Sequence, residues 1–195
     1  MMEVPLFPLN TVVFPGGVLP LRIFEPRYLD MVSACLRTDT GFGICLLKSG
    51  WETDRHARIH PLGSLCKIVD WTTLPDGLLG VTAQATGRIR VLASRVRSDH
   101  LMVGDAECLP DEAAQPLPAE FAPLSALLRQ LIAEVGPPYD KLPAHYDQSG
   151  WVAGRLAELL PLELAIKQQL LETDDPHARL AQLRAALSSM HYLSG

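Results

Sequence analysis

The sequence predicts an α+β protein: an antiparallel, partly closed β-barrel with one early helix, followed by a helical bundle at the carboxyl end. Three observations predict it. Short apolar runs with period-two alternation fill the first 108 residues. One amphipathic helical pattern interrupts them near the start. Beyond Pro110 the period changes, and everything reads as helix. These boundaries place a β domain over 1–112 and a helical domain over 113–195.

The stretch from Pro5 to Tyr28 alternates apolar runs with prolines and holds the Gly16-Gly17 pair. Proline fixes φ and donates no hydrogen bond, so it belongs at strand ends, edges and turns. The stretch reads as two short strands joined by a rigid connection around Phe14-Pro15-Gly16-Gly17. Residues this apolar either join the core or form a contact surface. Leu21 and Ile23 fall on one strand face, Arg22 and Phe24 on the other, and the Phe14 turn is the candidate for an exposed apolar tip. A helix begins at Pro26, where a missing N–H costs nothing, and Tyr28, Leu29, Val32, Cys35 and Leu36 form its apolar face.

After Asp39-Thr40-Gly41, residues Phe42 to Leu47 read as a buried strand, and Ser49 to His60 as a polar loop. Leu65 to Trp71 is the next strand, closed by a Pro75-Asp76-Gly77 turn. In the long β region that follows, Leu79, Val81, Ala83 and Ala85 share one face, and Gly87 marks a bulge or bend. Ile89, Val91 and Val96 continue it, and Leu101 and Val103 open a further strand after Ser98-Asp99-His100. The acidic, proline-bearing 111–118 stretch is a linker. A stripe of Leu124, Leu127, Leu128, Leu131, Ile132 and Val135 ends at Gly136-Pro137-Pro138. Ser149 is placed as the cap of a helix with Val152, Leu156, Leu159 and Leu160, which Pro161 breaks. Leu164, Ile166, Leu170 and Leu171 belong to a fourth helix. Asp174 or Asp175 before Pro176 starts the last one, with Leu180, Leu183, Leu187 and Met190 on one face.

Composition narrows the function. At 195 residues, with 48% hydrophobic and 20% charged residues, the chain is globular. A chain of this size buries roughly 70% of its unfolded surface and needs no metal or disulfide to fold. A net charge of −5 argues against electrostatic nucleic-acid binding. The start carries an acid and prolines rather than a signal peptide, and no run reaches the ~20 apolar residues of a membrane span. A cytoplasmic protein is expected. Cys35, Cys45, Cys66 and Cys108 are scattered and read as reduced thiols.

No catalytic set emerges. The G-x-x-x-x-G-K-[ST] loop and the G-x-S-x-G elbow are both missing. His56 and His60 stand four apart, but Pro61 and two arginines beside them argue for a solvated loop over a metal site. Neither catalytic residues, metal nor cofactor are expected. Arg88, Arg90, Arg95 and Arg97 form the most basic cluster. They are an RNA contact in one reading and the solvated face of a half-buried strand in the other, which is favoured because no aromatics interleave. Arg22, Glu25 and Arg27 read as structural ion pairs.

The motif Pro5-Leu6-Phe7-Pro8-Leu9-Asn10, Val13-Phe14-Pro15-Gly16 and Leu19-Pro20-Leu21-Arg22-Ile23-Phe24-Glu25-Pro26-Arg27-Tyr28 closely resembles the amino-terminal domain of Lon proteases, above all its stand-alone bacterial form. Ala85-Thr86-Gly87-Arg88-Ile89-Arg90-Val91 resembles that family's G-R-x-R-[IV] strand. Leu160-Pro161, Lys167 to Asp175, and Arg179-Leu180 with Leu183 resemble its helical ending. The resemblance implies a PUA-like pseudo-barrel followed by a helical bundle. It also implies a module that engages protein substrates without the ATPase and peptidase domains that follow in full-length Lon. The expected partners are unfolded or specific protein segments, with Phe14, Val18, Leu19 and Phe24 as candidate contacts. Oligomeric state is left open. RNA binding through the arginine cluster is the alternative, and a small-ligand pocket lined by Trp51 or Trp71 is a further one.

Overall fold

The computed structural model describes residues 1–50 and 57–189. The chain divides into two compact units, Met1–Asp111 and Glu112–Gly195.

The first unit holds β1 (Met2–Leu9), β2 (Val18–Ile23), helix α1 (Pro26–Thr38), β3 (Phe42–Ser49), β4 (Arg58–Ile59), β5 (Leu62–Thr73), β6 (Leu79–Val96) and β7 (Met102–Cys108). The pairing order β1-β7-β6-β5-β3 is antiparallel, and a parallel pairing of β1 with β3 closes it into a ring. The expected sheet was antiparallel throughout; the one parallel step arises because β1 and β3 are joined through β2 and α1, long enough for a crossover. β1 and β2 do not pair with each other. β2 lies instead along the first half of β6.

Ring strands bury both faces, which explains why Phe7-Pro8-Leu9 and Phe42 to Leu47 lack alternation. Val4, Leu6, Cys45, Leu47, Ile89, Val91, Met102 and Ala106 make one core. On the opposite faces of the same strands, Phe7, Leu9, Phe42, Ile44 and Val103 join Tyr28, Met31, Val32 and Cys35 of α1 in a second core. β6 serves both. Val81, Ala83 and Ala85 face the α1 side, whereas Ile89 and Val91 face the other core. An extra residue makes the change: Leu65 opposes Gly87 and Cys66 opposes Ala85, which leaves Thr86 bulged. A one-residue slip exchanges the faces. The bulge therefore falls at Thr86, beside the glycine that signalled it.

The Phe14 turn is not an exposed tip. Phe14 is only 1% exposed and Val18 is buried. The Gly16 N–H donates to the Ala85 carbonyl, the Ala85 N–H to the Gly17 carbonyl, and the Ser64 hydroxyl to the Val13 carbonyl at 2.6 Å. These bonds sew the turn onto β6 beside the bulge, so its apolar residues become core. β5 also starts earlier than expected, at Leu62. A Cβ on Gly63 would lie 2.4 Å from the Ile44 carbonyl oxygen, so glycine here admits β3 at close range. Within the expected 49–60 loop, β4 pairs with β3; Trp51 and His56 lie outside the described residues.

The second unit holds α2 (Ala122–Val135), α3 (Ser149–Leu159), α4 (Leu164–Glu172) and α5 (Pro176–Ser189). Helix α3 packs on the other three, and its Val152, Ala153, Leu156 and Ala157 are wholly buried. Leu124, Leu128 and Ile132 form the inward stripe of α2, whose last residue, Val135, is exposed. Ser149 is the first helical residue rather than a cap: its hydroxyl donates to the Pro116 carbonyl, tying the linker down at 2.9 Å. Asp175 does cap α5, its carboxylate accepting the His177 and Ala178 N–H groups. Leu180, Leu183 and Leu187 face inward, and Met190 lies outside the described residues. No helix among the described residues is long and apolar enough to cross a membrane.

Two substitutions test the packing. Phe14→Ala should cost about 3–5 kcal/mol, the loss expected for a wholly buried aromatic ring. A Cβ on Gly104 would meet Leu6 and Val91 at 2.8 and 2.9 Å, so Gly104→Val should cost about 1–3 kcal/mol by overpacking. Urea unfolding curves of both variants check the two values; an unchanged midpoint for either contradicts the assigned packing.

Candidate protein-binding surface

β2 is an edge strand: β6 pairs with one side, and no described strand pairs with the other. The Gly17–Ala85 hydrogen bond sets the alternation, with Leu19 and Leu21 turned toward β6. Val18, Pro20 and Arg22 then aim their backbones outward. Pro20 thus removes no ladder bond, and its missing N–H blunts the free edge against strand addition.

Two grooves of about 300 Å³ and 310 Å³ share Pro20, Leu21 and Arg22. Phe7, Leu9, Phe24 and Tyr28 wall the first, and Trp71, Leu74, Val81 and Thr82 the second. Phe24 and Trp71 are each 61% exposed, large apolar rings that the fold leaves in water. The floor of the first groove is rigid. Phe7 stacks on Tyr28 with centroids 3.9 Å apart, and the Arg27 guanidinium lies 4.7 Å from the Tyr28 ring. Arg27 also binds Glu25 at 2.8 Å and donates to the His100 carbonyl at 3.0 Å. Arg22 pairs with Asp76 of the turn before β6. The three charged residues of the opening motif thus form ion pairs, as the sequence reading expected.

Of the four contact candidates, the fold separates Phe14 and Val18, which are core, from Phe24, which is exposed, and Leu19, which is half-buried. Trp71 and Leu74 were not among the four. Nothing local distinguishes the exposed Trp71 from the buried residues of the same strand. Its exposure follows from β5 outrunning β3, which pairs only with Phe42 to Ile44 opposite Ser64 to Cys66.

The arginine cluster is dispersed and neutralised. Arg88 is buried, while Arg90 pairs with Glu107 at 3.2 Å. Arg95 meets Glu3 and Asp105, and Arg97 meets Asp99 at 3.1 Å. Each exposed member faces an acid supplied by a paired strand or the adjoining turn. Such a strip offers little free charge to phosphates.

A family model described as the ATP-dependent protease La (LON) substrate-binding domain matches residues 3–189. The chain belongs to that family.

Among solved structures, the Lon N-terminal domain protein from Xanthomonas campestris is 37% identical, with a TM-score of 0.79 over 95% of this chain and 98% of that one. The N-terminal domain of Mycobacterium avium complex Lon protease, at 20% identity and a TM-score of 0.63, shares the fold. The Lon protease of Xanthomonas oryzae pv. oryzae is 28% identical over 93% of this chain, and that of Escherichia coli K12 is 26% identical over 96%. The chain spans only 22% and 25% of those two proteins. It has the mostly antiparallel α+β fold of Lon N-terminal domains.

Two of the buried thiols of this Lon-family domain are held protonated by their surroundings. Burial pushes the Cys45 thiol up to about 12 and raises that of Cys35, the reverse of nucleophile activation. Cys66 is buried and Cys108 exposed. A thiol reagent should therefore modify Cys108 alone in the native protein and all four cysteines in denaturant. Mass spectrometry of the modified chain reads the result, and rapid labelling of Cys45 under native conditions contradicts it.

Proposed function

We propose that this Lon-family chain is a non-enzymatic recognition module that holds unfolded or specific protein segments on the β2 edge. The observation that carries this reading is the exposure of Phe24 on the wall of one apolar groove, within the stretch that marks the family and next to the groove that Trp71 lines. Single exposed apolar residues are ordinary, but two large rings bordering adjoining grooves suit a contact surface. The names of its relatives, substrate-binding domain and Lon N-terminal domain, support the same role. Within these 195 residues no phosphate-loop or nucleophile-elbow motif occurs, which supports binding without proteolysis or ATP hydrolysis. The reading also takes the β unit as a PUA-like pseudo-barrel and the helical unit as a bundle. Ring closure through β1 and β3 supports the former, and α3 packed on three neighbours the latter.

Phe24→Ser tests it against β-casein, a permanently unfolded protein. Removing the ring should weaken binding about tenfold, the equivalent of ~1.4 kcal/mol of apolar contact. Because the ring is exposed, thermal stability should change by less than about 0.5 kcal/mol. Wild-type affinity in a folded Phe24→Ser variant, measured by anisotropy titration, contradicts the proposal.

A further inference from the structure

The linker, residues 112–118, lies on the helical unit as a strap, much as a ligand lies on a receptor. It includes no buried residue, and Ala113, Ala114 and Pro116 are exposed. The surface beneath it is the opposite: Ser149 is wholly buried and Arg179 is only 2% exposed. The contacts between them are polar. Pro116 bridges to Gln148 in antiparallel fashion, with the Leu117 N–H donating to the Asp147 carbonyl at 2.7 Å and the Ser149 N–H to the Gln115 carbonyl at 2.9 Å. The Pro116 carbonyl also accepts the Ser149 hydroxyl, and His177 Nε2 lies 3.3 Å from it. Four residues earlier, the Glu112 carboxylate accepts from Arg179 Nη2 at 2.8 Å. Its other oxygen sits only 1.8 Å from where a Cβ on Gly150 would be, so glycine opens the cradle that admits the acid.

A segment with few buried apolar contacts and exposed backbone opens locally at lower cost than the core it lies on. Arg179 keeps two backbone acceptors when the acid leaves, the Leu170 carbonyl at 3.0 Å and the Thr173 carbonyl at 2.7 Å. The receiving surface therefore does not depend on Glu112. What the strap covers is a guanidinium, a serine hydroxyl and a short backbone edge at Asp147–Ser149, groups set for an extended chain. The resident strap shows what fits them. Arg179 takes a carboxylate, a charge-assisted bond stronger than a neutral one. Four residues on, the site uses only a carbonyl, so the missing N–H of proline costs nothing there. We propose that this face of the helical unit is a peptide-binding site held by the chain's own strap. Its free occupant is an extended segment of a partner protein with an acidic residue four before a proline. A second copy of this chain fits less well, because each strap is tethered beside its own site at an effective concentration on the order of millimolar. The site is separate from the β2 edge and uses neither Phe24 nor its groove.

The test uses the full chain and a labelled peptide with the sequence of residues 110–119. Glu112→Ala loosens the tethered strap, so the peptide should bind this variant about tenfold tighter than the wild-type chain, whose site is already held. A peptide with alanine in place of its glutamate should bind the same variant about tenfold more weakly, as a hydrogen bond to a charged group allows. Gly150→Ala, added to Glu112→Ala, puts a methyl group where the carboxylate sits and should erase that preference. Alanine suits a helix, so α3 persists. In the wild-type chain the Leu117 amide should exchange with deuterium at least about tenfold faster than the Leu156 amide of α3, because the strap opens without the unit. This measurement needs no variant and decides the matter should Glu112→Ala fail to fold. Equal binding to the wild-type chain and Glu112→Ala, indifference to the peptide's glutamate, a preference that survives Gly150→Ala, or Leu117 protected as strongly as Leu156 would overturn the inference. Concentration-dependent dimerisation of the wild-type chain, the sign of straps exchanged between copies, would overturn the assignment to a partner protein.

Discussion

The β unit depends on one backbone irregularity, the extra residue at Thr86. β6 spans Leu79 to Val96 and touches β2, β5 and β7 in turn. Without the bulge its odd-numbered residues would all face one core. With it, Val81 to Ala85 pack beneath α1, and Ile89 and Val91 fill the opposite face of the ring. The Thr86 hydroxyl, bonded to the Leu65 carbonyl at 3.2 Å, holds the irregularity in place. The Gly16-Gly17 turn docks onto Ala85 next to it. That docking draws Phe14 inward and brings β2 alongside β6. The free edge of β2 and its two grooves follow from the same event.

The helical unit relies on buried charge. Arg155 is wholly enclosed and paired with Glu158 one turn along α3, Nε to Oε2 at 2.8 Å. Tyr139 joins the pair, and burial together with the Glu158 carboxylate holds its phenol above the ordinary range. Lys167 donates to the Glu158 carbonyl at 2.8 Å. Arg179 donates to the carbonyls of Leu170 and Thr173 and to the Glu112 carboxylate, joining the α4–α5 corner to the linker. Breaking such pairs costs more than their formation gains, because the remaining partner stays buried. These groups specify how short helices meet, and their being enclosed removes them as candidates for surface chemistry while the strap is in place.

The surface follows from what these two constraints leave over. On the β unit Arg90, Arg95 and Arg97 pair with neighbouring acids, and Phe24 and Trp71 remain in water. A basic strip in the sequence thus becomes a neutral face, and apolar residues in two strands become a groove border. Phe14 and Phe24 illustrate the divergence. Both are phenylalanines of one motif; one is pinned beside the bulge and the other lies just past the end of β2.

The sequence by itself determined the α+β class, the run of elements apart from β4, the change of period after Pro110 and the family, because these are written in local spacing: alternation, helical stripes, prolines and caps. It also favoured ion pairing for Arg22, Glu25 and Arg27, although the partner of Arg22, Asp76, is supplied by the tertiary fold. The tertiary structure decided which apolar residues are core and which are surface. Ring closure through the parallel β1–β3 pair, the face exchange at Thr86 and the length by which β5 outruns β3 are contacts between residues far apart in the chain. A strand's own alternation names two faces, but only its neighbours determine which face meets water.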